Sequence, residues 1–300
     1  MRLSLDHMTI RQRQALTAYI FLAIPAVFYS VIRFYPALES FYLSLTKWNI
    51  VSPTKQWVGL ANYQRLFKDP VFWKVLGNTF EYVAIGLPTT LILSFLVAYY
   101  LDKVKFGQGM LRAMYFLPHI ASAVAMAWVW RWLYQPPPIG LFNNILTQLG
   151  IGGQPFLTST VQAIPAITAP VVWAGMGFNI VIFLAGLKAI PESYYEAARI
   201  DGASNFQILR RITLPLLKPT VLFLAIINTI QLLRIFDQVY NMTQDGLGGP
   251  LNSTKPIVLH IYHSAFHKFD MGYASAATVV LFGILMLITL IQMKVLGKKS

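Results

Sequence analysis

The sequence predicts an all-α polytopic membrane protein: six transmembrane helices, with a polar helical knob on the inner side between the fourth and the fifth. Three observations predict it. The 300 residues are 56% hydrophobic and only 12% charged, with a mean hydropathy of +0.56, where a soluble domain is about half apolar and about a quarter charged. Six apolar stretches reach the roughly 20 residues that cross a bilayer. The basic residues fall mostly between these stretches, so the formal charge of +13 reads as orientation charge and not as a nucleic-acid stripe. No cysteine is present, which excludes a disulfide framework and thiolate metal sites.

The spans are expected near residues 15–35, 80–101, 111–133, 163–187, 220–239 and 272–293, in a single transmembrane domain over residues 1–300. The first follows Arg2, Arg11 and Arg13. Its apolar run exceeds a signal-peptide core and no small-residue cleavage site follows, so it reads as a retained span. With the N-terminus inside, the inner segments hold Arg2, Arg11, Arg13, Lys103, Lys105, Arg112, Lys188, Arg199, Arg210, Arg211, Lys218, Lys294, Lys298 and Lys299, 14 of the 24 basic residues. That excess predicts inner N- and C-termini.

Trp128, Trp130 and Trp132 alternate at the outer end of the third span. Helical spacing sends their rings to different faces, so they read as an interfacial aromatic belt. Pro25, Pro88, Pro118, Pro165 and Pro170 each remove a backbone donor and are expected to bend their spans. In lipid the freed carbonyls need protein or water partners, so such spans suit a bundle with a cavity better than a simple anchor. Outside, residues 38–75 read as short amphipathic pieces around Val58-Gly59-Leu60-Ala61-Asn62-Tyr63. Residues 134–160 open on Pro136-Pro137-Pro138 and read as loop plus a short helix.

The inner segment 191–219 carries Glu192, Glu196, Arg199, Asp201, Arg210, Arg211 and Lys218, with Lys188 just ahead of it. Pro191 stops the fourth span. Ser193 followed by Glu196 has capping-box spacing, each side chain able to reach the other residue's N–H. A short helix over 194–200 is expected, broken at Gly202, where glycine turns the chain cheaply. Asp201 is expected to cap a second helix over 203–211. Leu214-Pro215 marks the next break, and Pro219 opens the fifth span. The result is helix, tight turn, helix. Small Ala197, Ala198 and Ala203 near the turn let another backbone approach, with charges at the rim.

Glu196-Ala197-Ala198, Asp201-Gly202-Ala203, Leu214-Pro215 and Pro219 together resemble the EAA signature of ABC importer permeases. The resemblance covers nearly the whole chain. Asn62-Tyr63, Asn78-Thr79, Phe116-Leu117-Pro118 and Trp130 to Tyr134 with Gly140-Leu141 are similar to the carbohydrate branch of that family. So are Phe236-Asp237-Gln238-Val239-Tyr240, Met242-Thr243, Gly248-Gly249-Pro250 and Gly272-Tyr273-Ala274-Ser275-Ala276. Two departures are Pro136-Pro137, where relatives have Asn-Pro then Asp, and an inserted Asp245-Gly246-Leu247. Both fall in outer loops and bear on the binding-protein contact or the substrate, not on the fold. The resemblance implies that the knob is a coupling helix, with Glu196, Ala197, Ala198, Asp201, Gly202 and Ala203 docking it to an ATPase subunit. It implies as partners a second homologous permease, two ATPase subunits, an extracytoplasmic solute-binding protein and a carbohydrate substrate, in the bacterial cytoplasmic (inner) membrane. ATP and Mg would be bound by the partner ATPase, with no cofactor in this chain.

The chain's own chemistry is consistent with a transport subunit rather than an enzyme. There is no phosphate-cradling G-x-x-x-x-G-K-[ST]; the only Gly-Lys, Gly297-Lys298, lacks the upstream glycine. No zinc-binding H-E-x-x-H and no nucleophile elbow with a base is present. His260, His263 and His267 read as a polar outer face rather than a metal site. Polar groups within spans are expensive and tend to face cavities. Candidates are Asn179 in the fourth span and Asn228, Gln231 and Arg234 on one face of the fifth, where Arg234 and Asp237 can also pair. By the resemblance, substrate passes between these two spans, which implicates Gly175, Phe178, Asn179, Gln231, Leu232 and Ile235. Amides there suit sugar hydroxyls, and an aromatic suits the apolar ring face. Arg131 and Arg234 leave room for an acidic sugar or a sugar phosphate. The rival, an ion-gradient-driven secondary transporter, calls for inverted repeats and intramembrane ion relays; neither is found.

Overall fold

The computed structural model describes residues 9–104 and 106–296, the side chain of Leu296 excepted. Arg2, Lys105, Lys298 and Lys299 of the inner basic set, and the Gly297-Lys298 pair, lie outside the described residues. The described chain is mostly helical, with one short two-stranded ribbon.

Helix α1 (Ile10–Tyr29) opens on a closed capping box, in which Thr9 Oγ1 accepts from the Gln12 N–H and Gln12 Oε1 accepts from the Thr9 N–H. It passes through a π turn, Ser30–Phe34, into α2 (Tyr35–Ser44), so that Ile10–Ser44 forms one rod of 35 residues. The span expected near 15–35 therefore runs further. Pro36 lies just after this π turn, inside the continuous rod. Strands β1 (Thr46–Lys47) and β2 (Gln56–Trp57) pair antiparallel, Thr46 opposite Trp57. Helix α3 (Ala61–Lys68) follows. In α4 (Pro70–Asp102), the Asp69 carboxylate accepts from the Val71 N–H at 2.8 Å and Pro70 takes the first turn. This cap and proline start the helix well before the expected residue 80.

The third span is not one helix. Helices α5 (Gln108–Ile120) and α6 (Ala123–Leu133) meet at 93°. Pro118 takes a donor out of the last turn of α5, and Ala121 (ψ 144°) and Ser122 (ψ 133°) leave the helical region. Pro88 and Pro170, by contrast, sit inside unbroken helices. Helix α7 (Leu141–Gln148) supplies the short helix expected in 134–160. It is held there by Asn143, whose amide donates to Gln135 O and Gln154 O and accepts from the Gln154 N–H. Helix α8 (Ala163–Lys188) fits its expected bounds.

In the inner segment, α9 (Glu192–Ile200) starts earlier than expected, and the Ser193–Glu196 capping box does not form. Pro191, extended at ψ 133°, takes the cap position and puts Ser193 inside the first turn. Asp201 ends α9 rather than opening the next helix. The second helix, α10 (Asn205–Ile208), is capped by Ser204, which closes a capping box with Gln207. It continues through a π turn, Leu209–Thr213, into α11 (Leu214–Leu216), so Leu214-Pro215 is not a break: Pro215 occupies a first turn. The chain then bends by 64° into α12 (Lys218–Leu233). Helix α12 stops short of the expected residue 239, because Arg234 (φ −107°, ψ 17°) and Phe236 (φ −144°, ψ −61°) unwind before α13 (Asp237–Met242). Helix α14 (Ile257–Tyr262), a π turn His263–His267 and α15 (Met271–Leu296) complete the chain. His260 and His263 are buried, so the expected polar outer face is wrong for these two; only His267 is exposed. The π turn that starts at His263 also breaks the spacing on which a common face depended.

Among the described residues, Ile10–Ser44, Pro70–Asp102, Ala163–Lys188 and Met271–Val295 are each long and apolar enough to cross a membrane; the two bent pairs bring the number to six if each crosses as a unit.

The chain divides into two compact units: residues through Leu66 with Ser264–Val279, and Phe67–His263 with the residues from Val280 onward. In the first, Asn62 donates to Ser44 O and Thr46 O, Tyr63 donates to Ser44 Oγ, and Arg65 pairs with Asp270. In the second, α4, α8 and α12 pack around two apolar clusters. One gathers Tyr82, Ile164, Ile167, Ile235, Val239 and Leu259; the other gathers Leu101, Ile180, Phe183, Leu187, Leu217 and Leu224. Gly177 lets α5 lie directly against α8, since a side chain there would run into the backbone of Tyr115 and Phe116.

Candidate functional site

Two places in the second unit bring the expected residues together. The first is the knob. Gly202 follows α9 in the left-handed conformation, φ +74°. The Gly202 N–H donates to Arg199 O at 3.1 Å and the Ala203 N–H to Ala198 O at 2.9 Å. That pair of bonds is a Schellman closure, which satisfies carbonyls a helix end would otherwise leave open. Ala198 and Ala203 are its two ends and are half-buried, whereas Glu196, Ala197, Asp201 and Gly202 are exposed. The small residues of the motif thus close the turn rather than line its surface, Ala197 excepted. Tyr195 reaches back to within 3.4 Å of Thr213 Oγ1 and packs on the Leu187–Leu217 cluster, fixing α9 to the bundle. Arg199 pairs with Glu192 at 3.4 Å with both side chains exposed, a contact worth little. Two apolar side chains of the knob are strongly exposed: Ile200 is 86% and Phe206 68% exposed. Neither was anticipated, though both stand in the sequence as bulky apolar residues inside a charged segment.

The second place is a cavity of about 460 Å³ between the α5–α6 break, α8 and the unwound end of α12, a size in the range of small-molecule pockets. Gly175, Gln231, Arg234 and Ile235, four of the residues expected along a substrate path, line it. Arg234 and Asp237 both face it, but among the described residues they form no ion pair, because the chain unwinds between them. The other four expected residues point elsewhere. Asn179 and Asn228 donate to each other, at 3.3 and 2.7 Å, and also to the carbonyls of Gly175 and Leu224. This saturated amide pair ties α8 to α12 and leaves little capacity for a solute. Phe178 is covered by the His119 ring, stacked at 5.7 Å. Leu232 is buried against Gly86. Arg131 donates to Asn241 O at 3.1 Å and lies over the Trp128 ring. Trp128 and Trp132 are exposed, while Trp130 packs on Tyr134, Phe142 and Trp173.

His119, Phe236, Asp237 and Gln238 also line the cavity. His119 Nδ1 lies 3.2 Å from Ala174 O, so that nitrogen carries the proton, since a carbonyl only accepts. Phe236 stacks on Tyr240 at 5.4 Å and so gives the wall a fixed apolar face. A site with an amide, a guanidinium, a carboxylate, an imidazole and an aromatic face suits a polyhydroxylated solute.

Residues 71–300 match the family described as binding-protein-dependent transport system inner membrane component. The chain belongs to this family. The lactose transport system permease protein of Rhizobium radiobacter is 35% identical over 90% of each chain. The trehalose/maltose transport system permease protein of Thermococcus litoralis is 34% identical over 95% of each. Among solved structures, a bacterial alginate ABC transporter in complex with an alginate pentasaccharide-bound periplasmic protein has the same fold, with a TM-score of 0.81 and 22% identity over 96% of this chain and 97% of that one. As an inner membrane transport component the chain is a permease subunit and not itself an enzyme; among its described residues no group of His, Asp or Glu could hold a metal ion. The sequence pattern gave Phe236, Gln238 and His119 no place in a site, and gave Asp237 only a pairing with Arg234.

Proposed function

We propose that this permease carries a carbohydrate across the inner membrane as one subunit of an ATP-driven importer. It would work as a single domain of six spans with both termini inside, the bent pairs α5–α6 and α10–α12 supplying the third and fifth. The observation that carries the sugar reading is the likeness, above 30% over nine-tenths of each chain, to permeases named for lactose and for trehalose/maltose. The cavity is the substrate passage, and Gly175, Gln231, Arg234 and Ile235, joined by His119, Phe236 and Asp237, are the residues that touch the sugar. The Schellman-closed knob, Glu196 to Ala203, docks onto an ATPase subunit; ATP and Mg reside there, and the chain pairs with a second permease and receives solute from an outer binding protein. An ATPase dimer that binds the knob differently in its open and closed states supplies the free energy for alternating access.

Uptake of labelled lactose, trehalose, maltose and an alginate oligosaccharide into cells carrying the whole transporter tests this. ATP-dependent accumulation of at least one, lost on deletion of this chain, is expected. Accumulation that survives ATP depletion and follows an ion gradient would overturn it.

A further inference from the structure

Where α4 ends, α5 begins and α8 ends, three cations gather around one neutral side chain. The Gln108 amide donates to Leu101 O at 2.7 Å, which holds it against the end of α4, and its Oε1 accepts from Lys188 Nζ at 3.3 Å. Gln108 O accepts from Arg112 Nε at 3.4 Å. Lys103 stands two residues beyond Leu101, with its Nζ 4.2 Å from the centre of the Tyr99 ring. Among the described residues none of these three cations pairs with a carboxylate, and the Nη groups of Arg112 have no partner. The acid nearest in sequence, Asp102, is exposed and joins no ion pair among the described residues. A neutral amide orients cations without neutralising them, so their mutual repulsion stands until an anion enters. One guanidinium and two ammonium groups are the donor set that suits a phosphate.

Two lanes of exposed apolar surface lead to this cluster. Ile92, Leu96 and Tyr100 are exposed on α4 at spacings of four, which is one helix face, and Lys103 continues that face three residues on. On α8, exposed Val181 and Ala185 lead in the same way to exposed Lys188. The two helices pack along each other.

We infer that this cluster binds an anionic phospholipid of the inner leaflet, with the phosphate on Arg112, Lys188 and Lys103 and the acyl chains along α4 and α8. The inference rests on the importer reading for its topology, which puts these helix ends inside. Basic pockets between spans on that side select anionic headgroups. The occupant follows from the two observations taken together. A span of a companion permease would cover the apolar lanes and bring no charge to the cations. A carboxylate of an ATPase subunit would answer the cations and leave the lanes bare. An anionic phospholipid carries both chemistries in one molecule.

Titration of the delipidated full-length permease with phosphatidylglycerol, read by native mass spectrometry, tests the site. Phosphatidylglycerol is expected to bind saturably and phosphatidylcholine not to, and excess inorganic phosphate to leave the lipid in place. Lys188→Gln, at an exposed side chain, weakens binding about fivefold, and Arg112→Gln with Lys188→Gln roughly twenty-five-fold, at about fivefold per cation removed. Lys294→Gln takes an inner cation from α15, outside the cluster, and leaves binding unchanged. Equal weakening by Lys294→Gln means diffuse surface charge and overturns the site. Phosphatidylcholine binding as tightly, or inorganic phosphate displacing the lipid, overturns the choice of ligand. In cells carrying the whole transporter, p-benzoylphenylalanine in place of Leu96 is expected to capture a lipid; capture of the companion permease or an ATPase subunit contradicts the inference. Binding is read without transport, so its failure beside intact ATP-dependent uptake sinks this inference alone. Labelling of Lys188→Cys by an impermeant maleimide in intact cells inverts the topology, and the inner-leaflet assignment falls with it.

Discussion

At Gly202 the backbone turns through φ +74°, and an added Cβ would touch nothing within 4 Å. A substitution there is therefore limited by backbone conformation and not by space. Gly202→Ala is expected to weaken the knob by about 1 kcal/mol, and Gly202→Asn by less, because Asn tolerates the left-handed region. Hydrogen exchange at the amides of α9 would read both, and equal protection in the two variants would contradict the account. In the cavity, Gln231 and Arg234 are exposed to the space while their neighbours on α12 are packed. Gln231→Ala and Arg234→Gln should each raise the half-saturating sugar concentration about tenfold, the loss of one good hydrogen bond to solute, and leave the thermal midpoint unchanged. A fall in midpoint with unaltered saturation would assign these side chains to packing.

At the scale of elements, the tie between α8 and α12 is the Asn179–Asn228 pair, with each amide donating to the other. Removing one partner leaves a buried amide unsatisfied, so Asn179→Leu is expected to cost about 1–3 kcal/mol. The double variant Asn179→Leu with Asn228→Leu should cost less than the two single losses added, by a coupling energy near 1 kcal/mol in a thermal-unfolding cycle. Additive losses would mean that the pair does not interact. The same elements show what was legible in advance. Helices α8 and α15 fell near their expected bounds because their apolar runs end at clear polar signals. The right angle between α5 and α6 was not legible: Pro88, Pro118 and Pro170 read alike in sequence, and only Pro118 is followed, three and four residues on, by two residues that adopt extended backbone. The capping box was expected at Ser193 and formed at Ser204, because Pro191 had already taken the cap position. On the cavity side, helical periodicity joined Asn228, Gln231 and Arg234; Gln231 and Arg234 line the cavity, whereas Asn228 is bonded to Asn179 on α8, a partner no local pattern reveals. His119 was missed, and Asp237 was joined only to Arg234, because the breaks that expose them to the cavity are tertiary.

For the whole molecule, the proposed importer fixes an orientation: in it the knob faces the ATPase and the 243–256 loop faces outward. The chain has no cysteine, so single replacements report side directly. Leu251→Cys should react with an impermeant maleimide added to intact cells, and Phe206→Cys only after the membrane is opened; the reverse pattern would invert the topology. The measurement that tests the central claim most directly is recovery of ATPase subunits with the detergent-solubilised permease. Wild type is compared with Gly202→Pro combined with Glu196→Lys, with folding checked by thermal unfolding. The account predicts that wild type retains an ATPase subunit and that the folded variant loses it, since proline cannot adopt φ +74° and the Schellman closure opens. Equal recovery by the two proteins, or no ATPase with wild type, would contradict the assignment of the knob as the coupling site.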